Sequence, residues 1–151
     1  MIRNSLEAQA FTAQLFSQSF SVRLSNGFDE GKHGHFVLKA KSFDGRIERK
    51  YYCLFKNGTP FFKYGEFAGE QTVGESINKE YLDRVLSDSS FFGIILVYPD
   101  KEIGGKVYLL NPQDALMFGI ERVQHGGERV VSFDIKLLVR LNPKVEVKVG
   151  V

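Results

Sequence analysis

The chain has no tryptophan, one cysteine, four prolines and no long apolar run, and each shortage removes a class of explanation. With Cys53 alone, no intrachain disulfide and no cysteine-based zinc site can form. Its place inside an apolar stretch favours a buried structural thiol over a nucleophile. The longest apolar run, Phe91 to Tyr98, is far too short to cross a bilayer. No secretory signal opens the sequence, where Arg3-Asn4-Ser5 leads into an amphipathic pattern, so a cytoplasmic, intracellular protein is expected. There is no Walker-type phosphate loop and no G-x-S-x-G elbow, and Gly65, Gly69 and Gly74 have the wrong spacing for a dinucleotide fingerprint. Repeats and low-complexity segments are absent.

What is present fits one domain over residues 1–151, long enough to bury a real core. Hydrophobic residues make up 43% and charged residues 25%, an ordinary balance for a globular protein. The net charge of +2 selects no partner, but its distribution is uneven. Residues 1–59 carry nine basic and five acidic side chains, whereas residues 60–151 carry eleven and thirteen. The first half therefore permits an anionic ligand.

The excess is sharpest between Gly31 and Gly58, where seven Lys or Arg stand against two acids. There Phe36, Leu38 and Ala40 alternate with Val37, Lys39 and Lys41, and Ile47, Tyr51, Cys53 and Phe55 alternate with Glu48, Lys50, Tyr52, Leu54 and Lys56. Asp44-Gly45 between two such runs is a strong hairpin signal. A basic hairpin with Phe and Tyr interleaved is either a nucleic-acid-facing surface or a solvated sheet edge.

Around it the pattern predicts a helix from Asn4 or Ser5 to about Phe16, a strand over Ser19–Ser25, and a polar loop over Asn26–Gly34. Pro60–Tyr64 reads as extended, and the following Gly- and Glu-rich stretch to Ser76 as a mobile surface loop. Ile77–Ser87 has helical spacing, Phe91–Tyr98 suits a central strand covered on both faces, and Lys106–Leu110 is its partner. Asn111-Pro112 starts a short helix that ends near Phe118. Further strands follow over Arg129–Phe133 and a Val-and-charge tail over Lys144–Val151. Helices on both sides of the strand block predict an α/β fold, a mixed β-sheet flanked by helices.

This order, with Ser5-Leu6-Glu7-Ala8 in the first helix, a strand closing on Ser25-Asn26-Gly27, the hairpin, and Lys106-Val107-Tyr108-Leu109-Leu110-Asn111-Pro112, resembles the restriction-endonuclease-like PD-(D/E)xK superfamily and its archaeal Holliday-junction resolvases. The resemblance covers about Ser5 to Leu116, with a nuclease-like core over 5–118 and C-terminal strands over 129–151. It implies a DNA-binding protein, double-stranded or branched DNA as partner, and Mg²⁺-dependent phosphodiester cleavage where the motif is intact; a homodimer made by Phe-rich surfaces belongs to the reading of the same fold as an interaction module. That chemistry needs an acid on the second strand and E-x-K or D-x-K on the third, so that metal and lysine converge on the phosphate.

Two registers place those positions. The first puts His35 and Leu54 where acids belong and Lys56 at the lysine, which leaves two metal ligands missing. The second uses Glu48-Arg49-Lys50, with Asp29 as the first acid and Glu7 as the helix glutamate. In it Glu7, Asp29 and Glu48 are the metal ligands and Lys50 completes the catalytic set. Either way Lys32, Lys39, Lys41, Arg46, Arg49, Lys50 and Lys56 are the candidate phosphate contacts.

Two further readings stay open. The same fold can serve as a non-catalytic interaction or dimerisation module, with the hairpin a solvated edge. Gly27 followed by His33-Gly34-His35 also matches the opening of a cupin metal motif, with His125 as a distant third imidazole, although the motif's glutamate and second half are missing.

Overall fold

The computed structural model describes residues 1–30, 33–57, 61–67 and 70–142. Asn4 caps helix α1 (Ser5–Ser17) by accepting the backbone N–H of Glu7 at 2.9 Å. Strand β1 (Phe20–Asn26) then pairs antiparallel with β2 (Phe36–Ser42), which pairs antiparallel with β3 (Glu48–Phe55). The turn of the hairpin lies at the expected place. Gly45 takes φ +74°, and Asp44 accepts the backbone N–H of Arg46 at 3.0 Å and the Ser42 hydroxyl at 2.6 Å.

The chain continues through β4 (Phe62–Phe67), β5 (Glu70–Asn78), α2 (Lys79–Ser87), β6 (Phe91–Asp100), β7 (Gly104–Leu110) and α3 (Pro112–Phe118). It ends in β8 (Ile120–Val123), β9 (Arg129–Asp134), a single 3-10 turn over Ile135–Leu137, and β10 (Val139–Leu141). Among the described residues the strands form two sheets. The larger is mixed, in the order β1-β2-β3-β6-β7-β10, with β3 and β6 parallel; the smaller is antiparallel, in the order β4-β5-β9-β8.

Period-2 alternation in β3 and β6 builds two cores at once. Tyr51, Cys53, Ile95 and Val97 point to α1, where they meet Ala8, Leu15 and Phe16. Tyr52, Leu54, Ile94, Leu96 and Tyr98 point the other way, against Leu82 and Val85 of α2, Ala115 of α3, and Val131 and Phe133 of β9. The strand Phe91–Tyr98 is therefore central and covered on both faces, as its unbroken apolar run implied. Cys53 is fully buried, and that burial pushes its thiol well above the ordinary range, which suits a structural thiol.

Three expectations need correction. The segment Glu70–Ser76, read as a mobile loop, is most of β5 and sits between β4 and β9. Its glycines and glutamates have low strand propensity, and pairing with β9 from Gly74↔Asp134 to Asn78↔Val130 overrides it. Ile77 accordingly belongs to β5, and α2 begins two residues later, capped by Asn78. The single sheet becomes two, because β9 joins β5 rather than the main sheet, and β8, given no element from sequence, adds an edge. The Lys144–Val151 tail and Lys32 lie outside the described residues. Among those residues no helix is long and apolar enough to cross a membrane.

Candidate nucleic-acid interface

The hairpin's basic residues do not share one surface. In an antiparallel pair, residues directly opposite point to the same face. Arg23 of β1 stands opposite Lys39 of β2, and Lys39 stands opposite Lys50 of β3. These three cations form one row across three strands on the α2 side of the sheet. In the next row Ser21 faces Lys41, which faces Glu48. Arg23, Lys39 and Lys41 are exposed and make no ion pair with a described residue. Lys50 is half-buried; its ammonium lies 4.1 Å from the Phe91 ring centre and 3.1 Å from the Asp88 carboxylate. The Ser90 hydroxyl and N–H, followed by Lys50, hold Asp88 at about 2. The row thus carries three positive charges and one partner acid.

Aromatic groups continue this face toward α2. Phe28 stacks on Tyr52 with ring centres 4.3 Å apart, and the exposed Arg84 guanidinium lies 4.3 Å over Phe28. Other predicted contacts are elsewhere. Arg46 projects from the turn near Asp44, and Arg49 lies on the α1 side with its guanidinium 3.8 Å over Phe92. Lys56 is mostly buried: it donates to the Ser76 carbonyl at 2.7 Å and lies 3.4 Å from Glu75. Its charge is committed inside the molecule.

Beside this face a cleft of about 800 Å³ opens between the sheets, lined in part by Arg3, Ser5, His33, His35, Lys56 and Tyr81. Glu75 at its floor is fully buried and accepts from the Ser76 N–H at 2.8 Å and the Tyr98 hydroxyl at 2.7 Å. Nδ1 of His35 lies 3.1 Å from the Tyr52 hydroxyl, which already accepts the Phe28 N–H. The Tyr52 oxygen keeps a second lone pair beside its own proton, so donor and acceptor in this contact follow the tautomer of His35. Burial pushes His35 down to about 4, against the smaller opposing effect of Asp29.

The predicted catalytic set does not assemble. Glu7 is tied to Arg3, accepting its backbone N–H at 3.1 Å and its guanidinium at 3.0 Å, and the Arg3 hydrogen bonds hold it below its ordinary value. Asp29 accepts the Tyr81 hydroxyl at 2.9 Å and lies 3.7 Å from His33. Burial pushes its carboxyl up, yet Tyr81 and the nearby imidazoles outweigh that and hold it low. Its other oxygen is buried and has no hydrogen-bond partner among the described residues. Glu48 is at the opposite end of β3, four residues before Tyr52, or about 13 Å at the rise of an extended strand. Lys50 points to Asp88 rather than to the cleft.

Among the described residues no group of three or more His, Cys, Asp or Glu is placed to hold a metal ion, His33, His35 and His125 included. The alternative register presents an imidazole, an alkyl chain and an ammonium at His35, Leu54 and Lys56. That donor set lacks the hard oxygens Mg²⁺ requires, so Mg²⁺ does not fit this site. Arg23, Arg84 and Glu75 were not singled out from sequence. Arg23 alternates with Val22 and Leu24, a pattern that already placed it on the polar face of β1. Glu75 gave no such signal, because its segment read as a loop. Protein-family models, curated proteins and solved structures were all compared with this chain, and none matches.

Proposed function

We propose that this chain is a DNA-binding protein built on a restriction-endonuclease-like core, holding the duplex by its basic sheet face without cleaving it. The order of helix, three antiparallel strands, crossover helix and parallel central strand supports that core. One observation carries the binding reading: the row Arg23–Lys39–Lys50 sets like charges directly opposite one another, with Arg23 and Lys39 exposed to solvent. Such pairs destabilise a sheet by themselves. A polyanion laid across the row converts that repulsion into attraction, and Arg84 on its aromatic platform extends the same face.

Phosphate contacts of this kind are mostly indifferent to sequence and fall steeply with salt. Affinity for duplex and branched DNA, measured by fluorescence anisotropy across a salt series, is expected to show this. Replacing Arg23 and Lys39 together by Ala should weaken binding and make the log–log salt slope shallower by about 2, since each lost phosphate contact removes about 0.9. Lys101→Ala, in the turn after β6, should change neither. No binding at low salt, or equal losses for both variants, would remove the reading.

A further inference from the structure

The tip of the basic hairpin carries one side chain that the fold does not use. Ser42-Phe43-Asp44-Gly45 closes into a turn, the Gly45 N–H donating to the Ser42 carbonyl at 2.8 Å and the Ser42 N–H to the Ile47 carbonyl at 2.8 Å. The Ser42 hydroxyl donates to Asp44 and accepts the Ile47 N–H at 3.0 Å, and Asp44 also holds the Arg46 N–H. The Phe43 ring enters none of these bonds, belongs to neither core, and is 70% exposed.

A single exposed apolar residue is ordinary on a protein surface, although turn corners usually carry polar residues or proline. What sets Phe43 apart is its support and its company. Five hydrogen bonds across the tip hold the backbone, so presenting the ring costs little further ordering. Lys41 runs along the same tip, its Cε 3.7 Å from where a Cβ on Gly45 would lie, and the Arg46 side chain is 85% exposed. From Phe36 to Phe55 the hairpin carries five cations against two acids.

An aromatic ring among cations fits single-stranded nucleic acid, whose bases stack on the ring while its phosphates meet the cations. Phe43 lies four residues beyond Lys39 of the basic row and one past the end of β2, about 13 Å at the rise of an extended strand. That is about four base steps at about 3.4 Å each. In a continuous duplex every base at that distance is already paired and stacked, so the ring meets only backbone. At a branch or a single-stranded overhang a base is free to leave the stack and cover the ring. A lipid surface is the weaker match, because interfacial anchoring needs a broad apolar face and the tip offers one ring.

We propose that Phe43 is a stacking contact for an unpaired nucleobase, so that the basic face binds DNA at a branch or single-stranded overhang in preference to continuous duplex. The proposal rests on the DNA-binding reading and adds the residue that selects the structure of the DNA. Stacking carries no charge, so its contribution should persist where salt has weakened the phosphate contacts.

Affinities for a forked DNA and for a blunt duplex of the same length, measured by fluorescence anisotropy across a salt series, test it, with circular dichroism to verify that each variant is folded. The wild-type chain should bind the fork about tenfold more tightly than the duplex. Phe43→Ala should bind the two equally, with the salt slope of wild type. Phe43→Trp should keep the preference; because the chain has no other tryptophan, its emission should be quenched by the fork and not by the duplex. Equal wild-type affinities for fork and duplex, or a preference that survives in Phe43→Ala, would overturn this contact while leaving DNA binding in place. Binding of neither DNA would remove both. Binding to phosphatidylserine vesicles that Phe43→Ala abolishes, with its fork preference intact, would make the ring a membrane contact instead.

Discussion

His35 shows how a side chain can be held against its usual chemistry by ordinary neighbours. Its Nδ1 lies in hydrogen-bond contact with the Tyr52 hydroxyl, Asp29 offers partial compensation, and His33 and Lys56 oppose a proton, yet burial dominates and sets it near 4. Unfolded, the ring takes up a proton near its ordinary 6.5. Between those values the unfolded chain binds more protons than the folded one, so acid favours unfolding. Stability present above about pH 6.5 should fall as the pH drops to about 4, by up to about 3 kcal/mol from this group. The depressed carboxylates, Asp29 and Asp88 among them, act at lower pH and do not share this window. Urea unfolding of wild type and His35→Gln at pH 7 and pH 4.5 separates the effect, since His33 and His125 remain in both. The wild type should lose more on acidification; equal losses would mean that His35 is protonated freely in the fold.

At the scale of elements, β6 is where sequence and structure agree most closely. Ile95 has no exposed surface and packs with Tyr51, Cys53, Val97 and Val107 beneath α1. Ile95→Ala should cost about 2 to 5 kcal/mol, read as a lower urea midpoint at an unchanged slope. A near-neutral result would place the strand at the surface. This element was legible because a run apolar on both parities has few homes other than a covered central strand. α1 and α3 were legible through their caps, Asn4 and Asn111, which accept the N–H groups of Glu7 and Gln113. β5 was not, because its strand state comes from its partner β9 and not from its own residues. The same limit hid Glu75 and its pairing with Lys56, a contact between segments 19 residues apart in sequence that only the second sheet brings together. The basic row was half legible: parity assigned Lys39, but its alignment with Arg23 is a property of register.

For the molecule as a whole, charge and acid placement point the same way. A hard divalent cation gathers oxygen ligands at roughly 2.0 to 2.6 Å, so acids sharing one ion lie within about 5 Å of each other. Glu7 and Asp29 are tied to Arg3 and Tyr81, whereas Glu48 lies about 13 Å along β3 from Tyr52, which packs near Asp29. Glu48 instead stands opposite Lys41, where it subtracts from the positive face. Glu48→Gln therefore removes an unfavourable charge rather than a metal ligand, and DNA affinity should rise a few-fold at low salt, with the gain fading as salt screens it. Neither wild type nor this variant should cut duplex or branched DNA in Mg²⁺ or Mn²⁺ over hours of incubation. Metal-dependent cutting by the wild type that disappears in Glu48→Gln would show instead that DNA binding draws Glu48 into a common site with Asp29. Unchanged affinity in the variant would place the DNA away from the β2–β3 end of the row.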